Sequence, residues 1–113
     1  PIVKAFNDGA ERSESWPDAR TIAGGLRVPH PFADYLILSA IRDTGGTAVA
    51  VSDEEMMASI REMASLEGVF PCPEGASTLA GLKRLLQEET IDRDGTILLL
   101  NTGSGYKNLD LLS

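Results

Sequence analysis

The sequence predicts an α/β protein in which helices alternate with the strands of a parallel sheet. Three short apolar runs have the length and composition of buried strands, and each follows a stretch with helical periodicity or helix-ending glycines. The order is therefore helix, strand, helix, strand, helix, strand. Each link between successive strands is long enough for a right-handed crossover, which favours parallel pairing.

The first two helices are recognised by where they end. The opening residues, Pro1–Ala10, have the pattern of a helix that stops near Gly9, and a polar stretch with a turn at Trp16-Pro17 follows. A second helix is predicted over Phe32–Asp43, before the glycine pair at 45 and 46. The apolar residues at helical spacing in this helix are Phe32, Leu36, Ile37, Ala40 and Ile41.

The third helix has the clearest local signal in the chain. Ser52-Asp53-Glu54-Glu55 is a capping box, in which Ser52 caps the helix and Glu55 reaches back to the cap. Gly68 stops this helix. Pro73–Ala76 then leads into a fourth helix, predicted over roughly Ser77–Glu88. Its predicted apolar face consists of Leu79, Leu82, Leu85 and Leu86.

The three strand candidates are Thr47–Val51, Val69–Cys72 and Thr96–Leu100. Pro71 would place the second at a sheet edge or at the end of a strand. Ligands of open α/β sheets bind beyond the carboxyl ends of the strands. Two loops are expected there, Pro73–Ala76 and Asn101–Gly105.

The second of these loops is the better candidate for a ligand site. Gly103 and Gly105 would let the backbone approach a ligand closely, and the hydroxyl of Thr102 could bond a ring nitrogen or a phosphate. The alternative is a Gly-rich turn in which Thr102 bonds backbone. Glu74 has two interpretations as well, a favourable charge near a helix N-terminus or a ligand contact.

Other reactive side chains give no further site. His30 has no Cys or His companion for a metal, and Cys72 is expected to be a buried small hydrophobe. A net charge of −7 disfavours nucleic acid and membrane surfaces as partners. The single cysteine and the lack of a signal peptide predict a cytoplasmic protein.

Four motifs, in order along nearly the whole chain, resemble those of threonine synthase. Asn101-Thr102-Gly103-Ser104-Gly105-Tyr106-Lys107 is similar to the family's Asn-Thr-Gly-Ser-Gly-x-Lys motif. Glu67–Phe70 with Pro73–Ala76 resembles its Glu-Gly-Ile-Phe…Pro-Glu-Gly-Ala segment. Val51–Glu55 and Gly25–Pro29 resemble a helix start and a loop of the same family.

The resemblance implies the large pyridoxal-phosphate (PLP) domain of a fold-type-II, tryptophan synthase β-like enzyme. The family converts O-phospho-L-homoserine and water to L-threonine and phosphate. The resemblance places the Thr102 hydroxyl at the pyridine nitrogen of PLP, with Gly103 and Gly105 keeping the loop close to the ring. By a weaker analogy it places the Glu74 segment near the same ring edge. It also implies a small amino-acid substrate and a homodimeric parent enzyme.

The same resemblance implies that residues 1–113 are a C-terminal portion of the domain, inactive alone. Nothing here matches the family's Ser-Phe-Lys-type motif, which carries the Schiff-base lysine, and Lys107 belongs to a different motif. No catalytic residue and no metal ligand is therefore assigned to this chain. Two alternatives stay open: a segment of a sibling enzyme, such as a threonine dehydratase or a cysteate synthase, and a free-standing, non-catalytic α/β binding module.

Overall fold

A computed structural model describes residues 1–112 of the chain. Its α-helices are Ile2–Asn7 (α1), Asp34–Asp43 (α2), Asp53–Glu67 (α3) and Pro73–Gln87 (α4), with 3₁₀ segments at Gly24–Leu26 and Gly105–Leu112. The chain divides into two compact units. The first comprises residues 1–20 and 27–50, and the second comprises residues 21–26 together with the chain from residue 51 onward.

The first unit is organised around the carboxylate of Asp34, which is buried at the start of α2. Its Oδ2 accepts hydrogen bonds from the Ser13 N–H at 2.7 Å and the Ser13 hydroxyl at 3.0 Å, and its Oδ1 accepts one from the Tyr35 N–H at 2.7 Å. Nη1 of the Arg12 guanidinium lies 3.3 Å from Oδ1 of Asp34. The Ser13 N–H bond is the main cause that holds the pKa of Asp34 below its usual range, against the opposing effect of burial. The polar stretch after α1 is thereby attached to α2.

The first two helices form close to where they are predicted. Gly9 has a φ of +69° just beyond the end of α1, as expected for a glycine that ends a helix. Helix α2 begins at Asp34, two residues later than predicted, and its buried apolar residue is Leu38. Phe32, expected on the apolar face, is 96% exposed. Helical spacing identified the helix but not the face that packs.

The capping box that begins α3 is confirmed. The Ser52 hydroxyl accepts from the Glu55 N–H at 3.2 Å, and the Glu55 carboxylate accepts from the Ser52 N–H at 2.6 Å. Gly68 closes the helix with a φ of +66°. Both ends therefore follow from short-range sequence, because caps and left-handed glycines act within a few residues.

Helix α4 begins at Pro73, and the predicted start at Ser77 is wrong. Cys72 is its N-cap and Pro73 is its first residue, a position where the missing proline N–H costs nothing. The Pro73–Ala76 segment, expected to be a loop, is the first turn of this helix. Its fully buried residues are small, whereas the predicted leucine face is half-buried. The buried set is Pro73, Gly75, Ala76, Ala80 and Gly81.

Helices α3 and α4 pack against each other and form the core of the second unit. Met56 and Ile60 of α3 are buried, as is Ala80 of α4. Arg84 donates two hydrogen bonds to the carboxylate of Glu55, at 2.6 and 2.8 Å. One carboxylate thus serves both the capping box of α3 and the contact with α4.

The predicted parallel sheet is not confirmed by residues 1–112. Thr47–Val51, Val69–Cys72 and Thr96–Leu100 belong to no strand, and the pairing recorded there is an isolated antiparallel bridge between Pro71 and Ser104. A strand exists only when a neighbour completes its hydrogen bonds. Leu98 and Leu100 are 81% and 66% exposed, so the third run lacks the cover that its composition requires. No helix within the described part of the chain is long and apolar enough to span a membrane.

Candidate functional site

Two segments that are thirty residues apart in sequence meet in the second unit. The Cys72 N–H donates to the Gly103 carbonyl at 3.0 Å, and the Gly105 N–H donates to the Phe70 carbonyl at 2.9 Å. Pro71 and Ser104 lie between them as a bridged pair. The Gly-rich loop is therefore attached by its backbone to the segment that leads into α4.

The first turn of α4 is closed by Cys72. Its sulfur accepts a hydrogen bond from the Gly75 N–H at 3.4 Å, which satisfies one of the free donors at the helix start. The thiol is 7% exposed, as expected for a buried cysteine. Sequence reasoning missed its capping role because cysteine is not among the preferred N-cap residues.

Glu74, also in this turn, binds the backbone of Gly25 in the second unit. Its Oε1 accepts a hydrogen bond from the Gly25 N–H at 2.7 Å. Partial burial raises the pKa of Glu74, but hydrogen bonds from Gly25, from its own N–H and from the Cys72 thiol outweigh that effect and lower the pKa. The carboxylate is thus held ionised and is engaged with backbone.

A second carboxylate holds the same glycine-containing segment. Asp53, the first residue of α3, accepts from the Thr21 hydroxyl at 2.6 Å and from the Ile22 N–H at 3.2 Å. Ala23, between these contacts and Gly24, is fully buried. Residues 21–26 are therefore fixed to the N-terminal ends of both α3 and α4.

Glycines allow the close approaches in this site. A Cβ placed on Gly105 would lie 2.6–2.7 Å from atoms of the Phe70 ring, and one on Gly103 would lie 3.1 Å from the Cys72 sulfur. A Cβ on Gly75 would lie 2.9 Å from Cγ of Asn101. Distances below 3.0 Å require a neighbour to move, so a larger residue at Gly75 would displace the Asn101 side chain and one at Gly105 would displace the Phe70 ring.

Thr102 lies between two of these contacts. Its neighbour Asn101 packs on Gly75, and its other neighbour Gly103 bonds Cys72. Thr102 itself is exposed, and none of the hydrogen bonds within residues 1–112 involves its hydroxyl. The alternative in which Thr102 bonds backbone is not observed. The backbone is held on both sides of Thr102, and the side chain between them is exposed.

Tyr106 and Lys107, which follow the Gly-rich loop, are both exposed. The Tyr106 ring meets the Phe70 ring edge to face, with centroids 5.2 Å apart, and is 73% exposed. Lys107 is exposed as predicted. Phe70 and Asn101 were not singled out from sequence. Their roles depend on which residues meet across the chain, and the only sequence signal was their place within the two motifs.

The loop presents a neutral hydroxyl at Thr102 on a backbone that is held at both neighbouring residues. Among the described residues, no group of three or more His, Cys, Asp or Glu side chains could hold a metal ion. The four residues selected from sequence divide into two sets. Thr102, Gly103 and Gly105 share the loop, whereas Glu74 lies in the first turn of α4 and bonds Gly25.

Comparison with known proteins defines the class of this chain. Residues 1–103 match the family of pyridoxal-phosphate dependent enzymes, and the chain belongs to that family. The cofactor predicted from the motifs, PLP, is thus confirmed as the cofactor of the family.

Within that family the chain is similar to threonine synthases. It is 42% identical over 110 residues to the threonine synthase of Methanocaldococcus jannaschii, covering 97% of this chain and 27% of the relative. It is 40% identical over 108 residues to that of Methanosarcina acetivorans, covering 96% and 27%. For Mycobacterium tuberculosis H37Rv the identity is 33% over 90 residues, covering 80% and 25%. The resemblance stated above is confirmed, and the chain spans about a quarter of the length of these curated relatives.

Proposed function

We propose that this chain is one wall of the PLP site of a threonine synthase. The enzyme would convert O-phospho-L-homoserine and water to L-threonine and phosphate. The observation that carries the proposal is the Thr102 hydroxyl, which is exposed and has no hydrogen-bond partner among residues 1–112, on a loop fixed at both neighbours. The similarity to threonine synthases over nearly the whole chain supports the choice of reaction.

The residues present fit the ring edge of PLP. When bound, PLP supplies an electron sink for the substrate, and the protein orients the ring and tunes its electronics. The Thr102 hydroxyl would bond the pyridine nitrogen. Because a hydroxyl is neutral, it does not force protonation of that nitrogen as a carboxylate would. Gly103 would leave room for the ring plane beside the loop.

Glu74 supports the site from beneath the ring edge in this proposal. Its carboxylate accepts from the Gly25 N–H, so its contribution would be to hold the segment 21–26 beside the first turn of α4. The Schiff-base lysine and the groups that bind the PLP phosphate would be supplied by parts of the enzyme outside this chain. The chain alone would therefore be inactive.

The parallel sheet is part of the same proposal. The apolar run Thr96–Leu100 leads directly into the loop that carries Thr102, and its exposed leucines support a strand that pairs within the complete enzyme. The parent enzyme would be a cytoplasmic homodimer with a small amino-acid substrate.

The test uses the complete protein that contains this chain. It is supplied with PLP and O-phosphohomoserine, and threonine and phosphate are measured together. Equal release of both is expected. PLP binding without either product would indicate a sibling, such as a threonine dehydratase or a cysteate synthase. No PLP binding would contradict the proposal and favour a non-catalytic binding module.

The role of Thr102 is tested by substitution in the same protein. Thr102→Ala removes the hydroxyl and should lower kcat/KM about tenfold or more, because one hydrogen bond to the ring is lost. Thr102→Ser keeps the hydroxyl and should retain most activity. Thr90→Ala, in an exposed turn, is the matched control. Equal activity of Thr102→Ala and the control would remove Thr102 from the site.

Borohydride reduction locates the Schiff base. Reduction of the PLP-loaded complete protein should label a lysine outside residues 1–113. Stoichiometric labelling of Lys107 would contradict the division of the site proposed here.

A further inference from the structure

We propose that Gly75 is a positioning residue for the cofactor. Because it has no side chain, Asn101 can lie against the first turn of α4, and this contact fixes the backbone that presents the Thr102 hydroxyl. The inference rests on the proposed function, which places that hydroxyl at the pyridine nitrogen. It adds a residue, on a different element, that would act on PLP only through the loop.

The contact at Gly75 involves backbone as well as side chain. A Cβ on Gly75 would lie 2.9 Å from Cγ of Asn101 and 3.2 Å from its Cα. The Cγ can move by rotation of the side chain. The Cα can move only if the peptide that leads to Thr102 moves with it. A methyl group at Gly75 must therefore push the Asn101 side chain aside, and it also presses on the backbone next to Thr102 by a few tenths of an ångström.

The glycines at positions 24 and 25 make no such approach to the backbone of another segment. A Cβ on Gly25 would meet only the side chain of Glu74, at 3.1 Å from its Oε1, and one on Gly24 would meet nothing within 4 Å. These two positions can accept a methyl group with at most a side-chain adjustment. Among these three glycines, Gly75 alone faces the backbone of the Thr102 loop.

Helix stability gives no reason for a glycine at this position. Gly75 lies inside α4 with helical backbone, where alanine is the more favourable residue. Gly75→Ala therefore gains helix propensity, but Asn101 must move to admit the methyl group. The positioning account predicts that this movement harms cofactor binding. The role of Gly75 is read from a loss of PLP affinity that is larger than any change in the unfolding midpoint explains.

The loop that carries Thr102 is also held on its other side, so a shift of Asn101 is not absorbed by free movement of the loop. Gly103 accepts from the Cys72 N–H at 3.0 Å, and its Cα faces the Cys72 sulfur. Thr102 is thus held between the contacts at Gly75 and Cys72. Binding groups that are fixed by supporting residues lose affinity when the support moves by a fraction of an ångström.

The experiment compares Gly75→Ala with Gly24→Ala in the complete protein. Apoprotein is titrated with PLP and followed by its absorption spectrum, its thermal unfolding is recorded, and threonine formation is measured in the reconstituted enzyme. Gly75→Ala should raise the PLP dissociation constant about tenfold or more, in line with the cost of small misplacements, and this loss should be larger than any change in the unfolding midpoint of the apoprotein explains. Gly24→Ala should match wild type in every measurement.

Asn101→Ala gives an independent measurement if Gly75→Ala does not fold. It removes the atoms that rest on Gly75 and should also weaken PLP binding. In the double variant Gly75→Ala/Asn101→Ala, the loss should be smaller than the product of the two single losses, because the methyl group then has fewer atoms to displace. An unchanged PLP dissociation constant in Asn101→Ala would overturn the inference.

The outcomes separate this inference from the proposal on which it rests. A wild-type protein that does not bind PLP contradicts both. A wild-type protein that binds PLP and forms threonine, together with a Gly75→Ala variant of equal PLP affinity, overturns the role of Gly75 alone. A Gly75→Ala variant whose weaker binding simply tracks a lower unfolding midpoint also overturns it.

Discussion

Backbone N–H groups hold three carboxylates of this chain in their ionised form. The Ser13 N–H is the main cause of a lowered pKa at Asp34, and the Ser52 N–H is the main cause at Glu55. At Glu74, burial raises the pKa, but the bonds from Gly25 and its neighbours outweigh it. Each of these groups contributes stability above the carboxyl pKa of the unfolded chain, and that contribution is lost as pH falls through the lower folded pKa.

Asp34→Asn should therefore weaken the pH dependence of stability. The variant keeps the size of the side chain but loses the charge that the Ser13 N–H and Arg12 stabilise. Its unfolding midpoint should lie below wild type at neutral pH, and the difference should shrink as the pH falls through the lowered pKa of Asp34, where the wild-type carboxylate also takes up a proton. Thermal unfolding of the complete protein across this range measures it.

The exposed Asp94 provides the control for this prediction. Asp94→Asn should leave the pH profile unchanged. A difference between Asp34→Asn and wild type that stays constant from neutral to acidic pH would show that the Asp34 charge is not what the site stabilises.

Single residues were predicted from sequence where the signal was local. The Gly-rich loop was recognised, and Thr102 was predicted as its ligand group, because glycine spacing and motif order are visible in the chain. The contact between Gly75 and Asn101 was not recognised, since the two residues are 26 positions apart and no periodicity relates them. The bond from Gly25 to Glu74 is equally non-local.

Helix α3 depends on its capping box, which gives a prediction at the level of the element. Ser52→Ala removes the acceptor for the Glu55 N–H and should cost about 1 kcal/mol of unfolding free energy, a typical value for an N-cap. Urea unfolding of the complete protein measures the change. Ser65→Ala, an exposed serine near the end of the same helix, should cost little or nothing. Equal losses in the two variants would contradict a special role for the cap.

The helices were predicted from sequence more accurately than the strands, for a physical reason. Helices α2 and α3 form where periodicity and caps place them, within two residues, because helical hydrogen bonds are made within the segment. The start of α4 was missed although Pro73 in its first turn was an available signal. Strands depend on partners elsewhere in the molecule, so apolar runs such as Thr96–Leu100 identify candidates only.

At the scale of the molecule, several large apolar side chains of the described residues are exposed. Leu98 and Leu100 are mostly exposed, and so are Phe32 and Leu66. Contiguous apolar surface and unpaired edges favour association. The 113-residue chain prepared alone should therefore self-associate at micromolar concentration, as measured by sedimentation velocity.

Leu98→Lys tests whether the run before the Thr102 loop is responsible. The charge should reduce self-association of the chain alone, since lysine opposes edge pairing. The same change should destabilise the complete protein if residues 96–100 form a buried strand there. Thr90→Lys, in the exposed turn after α4, adds the same charge as a control. Equal effects of the two lysines would show that net charge, rather than residues 96–100, governs association.

The hydrogen bond from Cys72 to Gly103 has a consequence for how this part of the protein can change over evolution. It closes a loop that contains α4 and the exposed turn around residues 92–95. Inserting or deleting residues in that turn costs only closure entropy, about 0.6 kcal/mol for each doubling of length. The length of the turn can therefore change while the geometry around Thr102 is kept, because the hydrogen bond between Cys72 and Gly103 holds the two ends of the loop together next to Thr102.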